Sequence, residues 1–142
     1  MNAIHTQTEP ERLCDLMKEY AGKLRSYVEQ LLLIHKSYDW GNETSRLAWL
    51  IDSVSIIMKP LETIMSRASG LLEHAELDSF LVDELTLRLT EIKLERHHAL
   101  SAVIEITKVL GTEVKPSVAK ASYASGLDMS PLRKMMSGKV EN

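Results

Sequence analysis

Aromatic residues are scarce in this chain: Phe80 is the only phenylalanine, and two tryptophans and four tyrosines complete the set. With so few of the large residues that fill sheets, the apolar positions fall to Leu, Ile, Met and Ala, which suit helices, and the composition points to an all-α chain. The single cysteine, Cys14, excludes an internal disulfide framework. No apolar run approaches the ~20 residues that cross a bilayer. The N-terminal MNAIHTQTEPERL lacks the basic start and apolar stretch of a secretory signal. A soluble, cytoplasmic protein with no membrane contact is expected. The formal charge of −3 gives no general attraction to nucleic acid, so any such contact needs a local basic patch. No glycine-rich phosphate loop, nucleophile elbow or paired-acid motif is present, and the expectation is a protein that is not an enzyme and needs no cofactor.

What the chain does contain is heptad periodicity. Leu13, Met17, Tyr20, Leu24, Tyr27, Leu31, Ile34 and Tyr38 alternate steps of four and three, the pattern of one amphipathic helix over about 11–38. Leu47, Ile51, Val54, Met58, Leu61, Met65, Ala68 and Leu72 repeat it over 43–74. There Leu50, Ile57, Ile64 and Leu71 widen the stripe, as suits a helix with two neighbours. Leu85, Leu89, Ile92, Arg96, Ala99, Val103, Ile106 and Leu110 make a third seam over 78–110, with Arg96 its one polar member. The spacing predicts an elongated, antiparallel three-helix bundle with coiled-coil-like heptads over residues 1–111, about 45 Å long at 1.5 Å per residue.

The punctuation agrees with the seams. Gly41 ends the first helix, Asn42 or Thr44 caps the second, and Asp78 is the best cap for the third, with Gly70 an earlier possible stop. Pro60 removes one backbone donor inside the second helix, where a kink is expected and not a break. Arg96 is expected to lay its methylenes on the seam and keep its guanidinium in water; pairing with a carboxylate across the seam is the alternative.

A second set of apolar residues lies off the seams: Trp49 and Ile56 on the second helix, and Phe80, Leu87 and Leu94 on the third. Either the C-terminal segment folds back over them, or they form a partner or oligomer interface. Glu95-Arg96-His97-His98 contains a Glu-x-x-His step and resembles half of a ferritin-like di-iron site. Neither other helix supplies the facing half, so Glu84, Glu91, His98 and Glu105 read as a solvated face and no metal site is expected. Cys14, beside Asp15, reads as a buried structural thiol.

Residues 112–142 form a separate C-terminal appendage. Pro116 can open a short helix over 117–125 capped by Ser117; Gly126 then makes a turn and Asp128 caps a second helix with Pro131 in its first turn. The run SGLDMSPLRKMMSGK has Leu127 directly after Gly126, Leu132 six places after that glycine, and Gly138-Lys139 six further on. With Ser117 and Ala121 ahead of it, the stretch 117–139 resembles the turn and recognition helix of Cro/repressor-type helix-turn-helix domains. The resemblance implies a recognition helix at about 129–137, with Ser130, Arg133 and Lys134 toward a DNA groove and Lys139 toward phosphate. The same residues also read as a helix-turn-helix-like or partly disordered docking tail, in which Leu127, Met129, Leu132, Met135 and Met136 meet a partner.

Two functions therefore stand side by side. The first is a helical adaptor, chaperone-like or regulatory bundle that binds a protein partner or a second copy of itself, as a dimer, through Trp49, Ile56, Phe80, Leu87 and Leu94. The alternative is a small dimeric DNA-binding regulator that uses residues 117–139.

Overall fold

The computed structural model describes residues 7–37, 44–110 and 115–124. Four α-helices follow in order, α1 (Glu9–Ser37), α2 (Thr44–His74), α3 (Ser79–Leu110) and α4 (Pro116–Ala124), and there is no strand among the described residues. The three long helices pack on one another as the seams predict. Arg67 pairs with Glu9 and Arg46 with Gln30, so α1 and α2 run antiparallel. Lys18 reaches Glu84 and Arg25 reaches Glu91, so α3 returns parallel to α1.

Local chemistry sets the helix ends. α1 begins two residues before the first seam period suggests, because Thr8 and Glu11 form a capping box: the Thr8 N–H donates to Glu11 Oε1 at 3.2 Å and the Glu11 N–H to Thr8 Oγ1 at 3.5 Å. Glu9 and Glu11 in the first turn and His35 and Lys36 in the last complement the helix dipole. Asp78 caps α3 as its position implies, accepting from the Leu81 N–H at 2.8 Å. Gly70 does not stop α2, which continues to His74, and Pro60 lies inside that uninterrupted helix. Pro60 is exposed, so the carbonyl it leaves unpaired one turn back sits on the watered side.

The core follows the heptads closely. Every α2 seam residue from Leu47 to Ala68 is buried, as are the widening residues Leu50, Ile57 and Ile64. On α1, Leu13, Met17, Leu24, Leu31 and Ile34 are buried, whereas Tyr20 and Tyr27 are half-buried, because a phenol keeps its hydroxyl near water. Each fully buried leucine contributes on the order of 1.5–3 kcal/mol of apolar transfer. Tyr38, Gly41 and Asn42 lie outside the described residues.

Two features depart from the heptad expectation. The C-terminal half of α3 is buried on more than its seam: Leu100, Ala102, Ile104 and Thr107 join it, where α4 packs on α2 and α3, burying Val118 and Ala121, and α1 stands beside Ala102. Thr107 keeps its hydroxyl satisfied by donating to the carbonyls of Val103 and Ile104. α4 starts at Pro116, so Ser117 lies inside the first turn and Lys115 stands before it, its carbonyl accepting the first helical hydrogen bonds from Val118 and Ala119. Lys115 also pairs with Asp52 at 3.0 Å, tying the start of α4 to α2.

The second departure is Arg96. The residue is only 9 % exposed: Nη1 approaches Met65 Sδ at 3.8 Å and Nε is buried without a hydrogen-bond partner. The residue lies on the α2-facing side of α3, against Met65. Among the described residues no carboxylate pairs with it.

Candidate interaction surfaces

The five off-seam apolar residues are all exposed: Trp49 56 %, Ile56 74 %, Phe80 74 %, Leu87 54 % and Leu94 53 %. α4, the described part of the C-terminal appendage, does not cover them. They form two surfaces and not one. Trp49 and Ile56 belong to a groove between α1 and α2, lined also by Tyr20, Tyr27, Ser53 and Pro60. The Trp49 ring meets Tyr27 edge-on, with centroids 5.9 Å apart and planes at 88°. Lys23 lies 5.4 Å from the Tyr20 ring centroid at the rim. The groove is therefore lined by two tyrosine rings of α1, with Trp49 of α2 packed edge-on against one of them, which a single helical wheel of α2 does not reveal.

Phe80, Leu87 and Leu94 stand apart on α3, spaced by seven so that they form one ridge along the helix. Continuing that row to Ser101 leads to a second groove, between α1 and α3, of about 510 Å³ and lined by Val28, Leu32, His98, Ser101, Ala102 and Glu105. Leu32 is itself exposed, and the walls are mainly apolar.

The carboxylates on the α1 side of α3 are not the plain solvated face that their spacing suggests. Glu84, Glu91 and Glu95 are only partly exposed and form a ladder with cations: Arg88 bridges Glu84 at 3.1 Å and Glu91 at 3.2 Å, and Arg25 of α1 reaches Glu95 at 3.3 Å. Glu84 holds Arg88 in its charged form, raising the guanidinium further above its ordinary range, with Glu91 assisting. Pairs of this exposure are worth about 0.2–1 kcal/mol each. The Arg88 pairs lie within α3, while Lys18 and Arg25 tie Glu84, Glu91 and Glu95 to α1. His98 lies 3.9 Å from Glu95, but no group of three or more His, Cys, Asp or Glu among the described residues could hold a metal ion.

Cys14 is buried between α1 and α3. Desolvation, followed by the charge of Glu84, pushes its thiol above the ordinary 9.0, with Asp15 adding to the shift and Arg88 and Lys18 opposing it. Because the folded thiol holds its proton to higher pH than the unfolded one, the stabilisation it brings is complete below pH 9.0 and is lost as pH rises through the folded value. The stability difference between the native chain and Cys14→Ala, measured by urea unfolding, should therefore narrow from pH 8 to pH 10. Thiol labelling of the folded protein should be at least ~100-fold slower than in urea. Equal labelling rates would show that Cys14 is accessible.

No protein-family model, curated protein or solved structure matches this chain. Among the described residues no helix is long and apolar enough to cross a membrane. Ser130, Arg133, Lys134 and Lys139, and the rest of the run that resembles a recognition helix, lie outside the described residues. Of the stretch 117–139 only the part within α4 is described, and there Val118 and Ala121 are buried.

Proposed function

We propose that this chain is a non-enzymatic helical interaction protein, an adaptor, chaperone-like or regulatory bundle, that recognises a protein partner or a second copy of itself through apolar helix faces. The observation that carries this reading is the pair of apolar surfaces that the described residues leave uncovered, the groove of α1 and α2 and the Phe80-Leu87-Leu94 ridge of α3. Soluble chains seldom leave contiguous apolar surface of this kind in water without a use for it. Aromatic walls suit the groove to an amphipathic helix laid along it, and the ridge presents leucines at the spacing by which helices dock on one another. Glu84, Arg88, Glu91 and Glu95 of α3 engage one another and Arg25 of α1, which gives these four side chains structural work.

Site-directed photo-cross-linking tests the reading. A photoreactive side chain placed at Ile56 or at Leu87 should give discrete polypeptide adducts in extract of the cells that make the protein. Ile56→Glu and Leu87→Glu, tested against probes at neighbouring positions of the same face, should suppress them. In parallel, light scattering at low salt with a short random-sequence DNA duplex should leave the mass unchanged. A mass that rises with DNA, falls back at higher salt and no longer responds in Arg133→Ala/Lys134→Ala, together with no adduct from either face, would replace this reading by the DNA-binding one.

A further inference from the structure

The α3 ridge and the groove beside it are spaced to fit each other in a second copy. Three heptad rows run along the outer side of α3: Asp83, Thr90 and His97; then Phe80, Leu87, Leu94 and Ser101; then Glu84, Glu91, His98 and Glu105. Leu87 and Leu94 are symmetric about a point between Thr90 and Glu91, and so are Phe80 and Ser101. The ridge ends in an exposed aromatic knob at Phe80, and the same row ends in the apolar groove of Val28, Leu32, Ser101 and Ala102, about 16 Å either side of that point at 1.5 Å per residue.

Resting on the reading above, we propose that the chain forms a two-fold symmetric dimer in which α3 packs antiparallel on α3 of the second copy, with Phe80 of each copy seated in the α1–α3 groove of the other. Leu87 then meets the partner's Leu94, and Leu94 the partner's Leu87, the self-complementary exchange that a two-fold interface requires. The flanking rows supply the charge argument. In the antiparallel arrangement Asp83 faces the partner's His97, an imidazole that donates to a carboxylate, and Thr90 faces the partner's Thr90. On the other side Glu84 faces the partner's His98. The two Glu91 side chains meet near the axis, each already neutralised by its own Arg88 and by Arg25. A parallel pairing would set Asp83 on Asp83 and Phe80 on Phe80 and leave both grooves empty. The acidic start and histidine-bearing end of this face therefore select the antiparallel orientation.

Mass and cross-linking together decide the matter. Sedimentation of the full chain between 5 and 200 µM, about the range in which modest helical interfaces form, should show a dimer. Leu87→Glu/Leu94→Glu should sediment as a monomer with an unchanged helical spectrum, and Phe80→Ala should weaken the dimer at least ~10-fold, in keeping with loss of an aromatic anchor seated in a groove. In a Cys14→Ser background treated with oxidised glutathione, Leu87→Cys mixed with Leu94→Cys should give a disulfide-linked pair, and neither variant should link to itself. A monomer at every concentration, a dimer unaffected by Leu87→Glu/Leu94→Glu, or Leu87→Cys linking efficiently to itself would each overturn this arrangement. A monomer whose Leu87 photoprobe still captures a different polypeptide overturns the dimer alone and leaves the interaction reading standing.

Discussion

Leu31→Ala is expected to destabilise the protein by about 2–5 kcal/mol, whereas Leu33→Ala, two residues along the same helix, should change stability by less than ~0.5 kcal/mol. Leu31 is fully buried and Leu33 is 68 % exposed. Deleting three carbons from Leu31 removes their transfer free energy and leaves a cavity among α1, α2 and α3 that the long helices cannot collapse without shifting register. Truncating Leu33 removes atoms that already touch water. Urea unfolding of the two variants in parallel gives the comparison. Similar losses for both would show that α1 is rotated from the orientation described, or that the ridge and groove surfaces are not the only apolar faces that become covered.

The second large effect concerns Arg96. Arg96→Met should raise stability by roughly 1–3 kcal/mol, because a buried guanidinium with an unpartnered Nε is replaced by an apolar chain of similar length. At ~2–4 °C per kcal/mol for a chain of this size, the melting temperature should rise by several degrees. Arg96→Ala should instead lower it, since the aliphatic stem that fills the α2–α3 seam is lost along with the charge. The two variants separate packing from charge at one position. If Arg96→Met is destabilising by more than ~1 kcal/mol, the guanidinium has an anionic partner that the described residues do not supply, and an anion or a carboxylate of a binding partner becomes the next thing to seek. The thioether of Met65 is a weak acceptor and a poor substitute for one. Such a residue in the centre of a seam sacrifices stability, and if it also fixes one helical register, as buried polar groups do in some coiled coils, Arg96→Met should broaden the unfolding transition or the oligomer distribution.

The run Leu31-Leu32-Leu33-Ile34 shows how much of this was legible in sequence. Four consecutive apolar residues share a composition, yet the 3,4 spacing assigns Leu31 and Ile34 to the seam and leaves Leu32 and Leu33 outside, and their burial follows that assignment. The number of long helices, their approximate limits, the Asp78 cap and nearly all of the α2 core were readable for the same reason: helical periodicity is a local property, and burial of one stripe is its direct consequence. The Thr8-Glu11 capping box was equally local and lay in the residues Thr8-Glu9-Pro10-Glu11, where the acid three places after the threonine was the signal.

Whatever depends on two helices at once was decided only by the tertiary structure. A wheel drawn for α2 shows Trp49 and Ile56 off the seam, but not that Tyr20, Tyr27 and Pro60 join them in one groove, and it groups them wrongly with Phe80, Leu87 and Leu94. Glu91 and Glu95 look solvated on their own helix and become a ladder only when Arg25 arrives from α1. The burial of Leu100 and Ile104 waits on α4, which sequence alone could place as a helix but not against α2 and α3. Periodicity placed Arg96 in the seam, but not the Met65 thioether beside its Nη1 or the lack of a partner for its Nε, because both depend on what α2 brings to that point. The sequence by itself determined which residues form helices and which stripe each one buries; the arrangement of the helices determined what the remaining faces make together, because a groove, an ion-pair ladder and the packing of Arg96 on Met65 are each built by side chains from different parts of the chain.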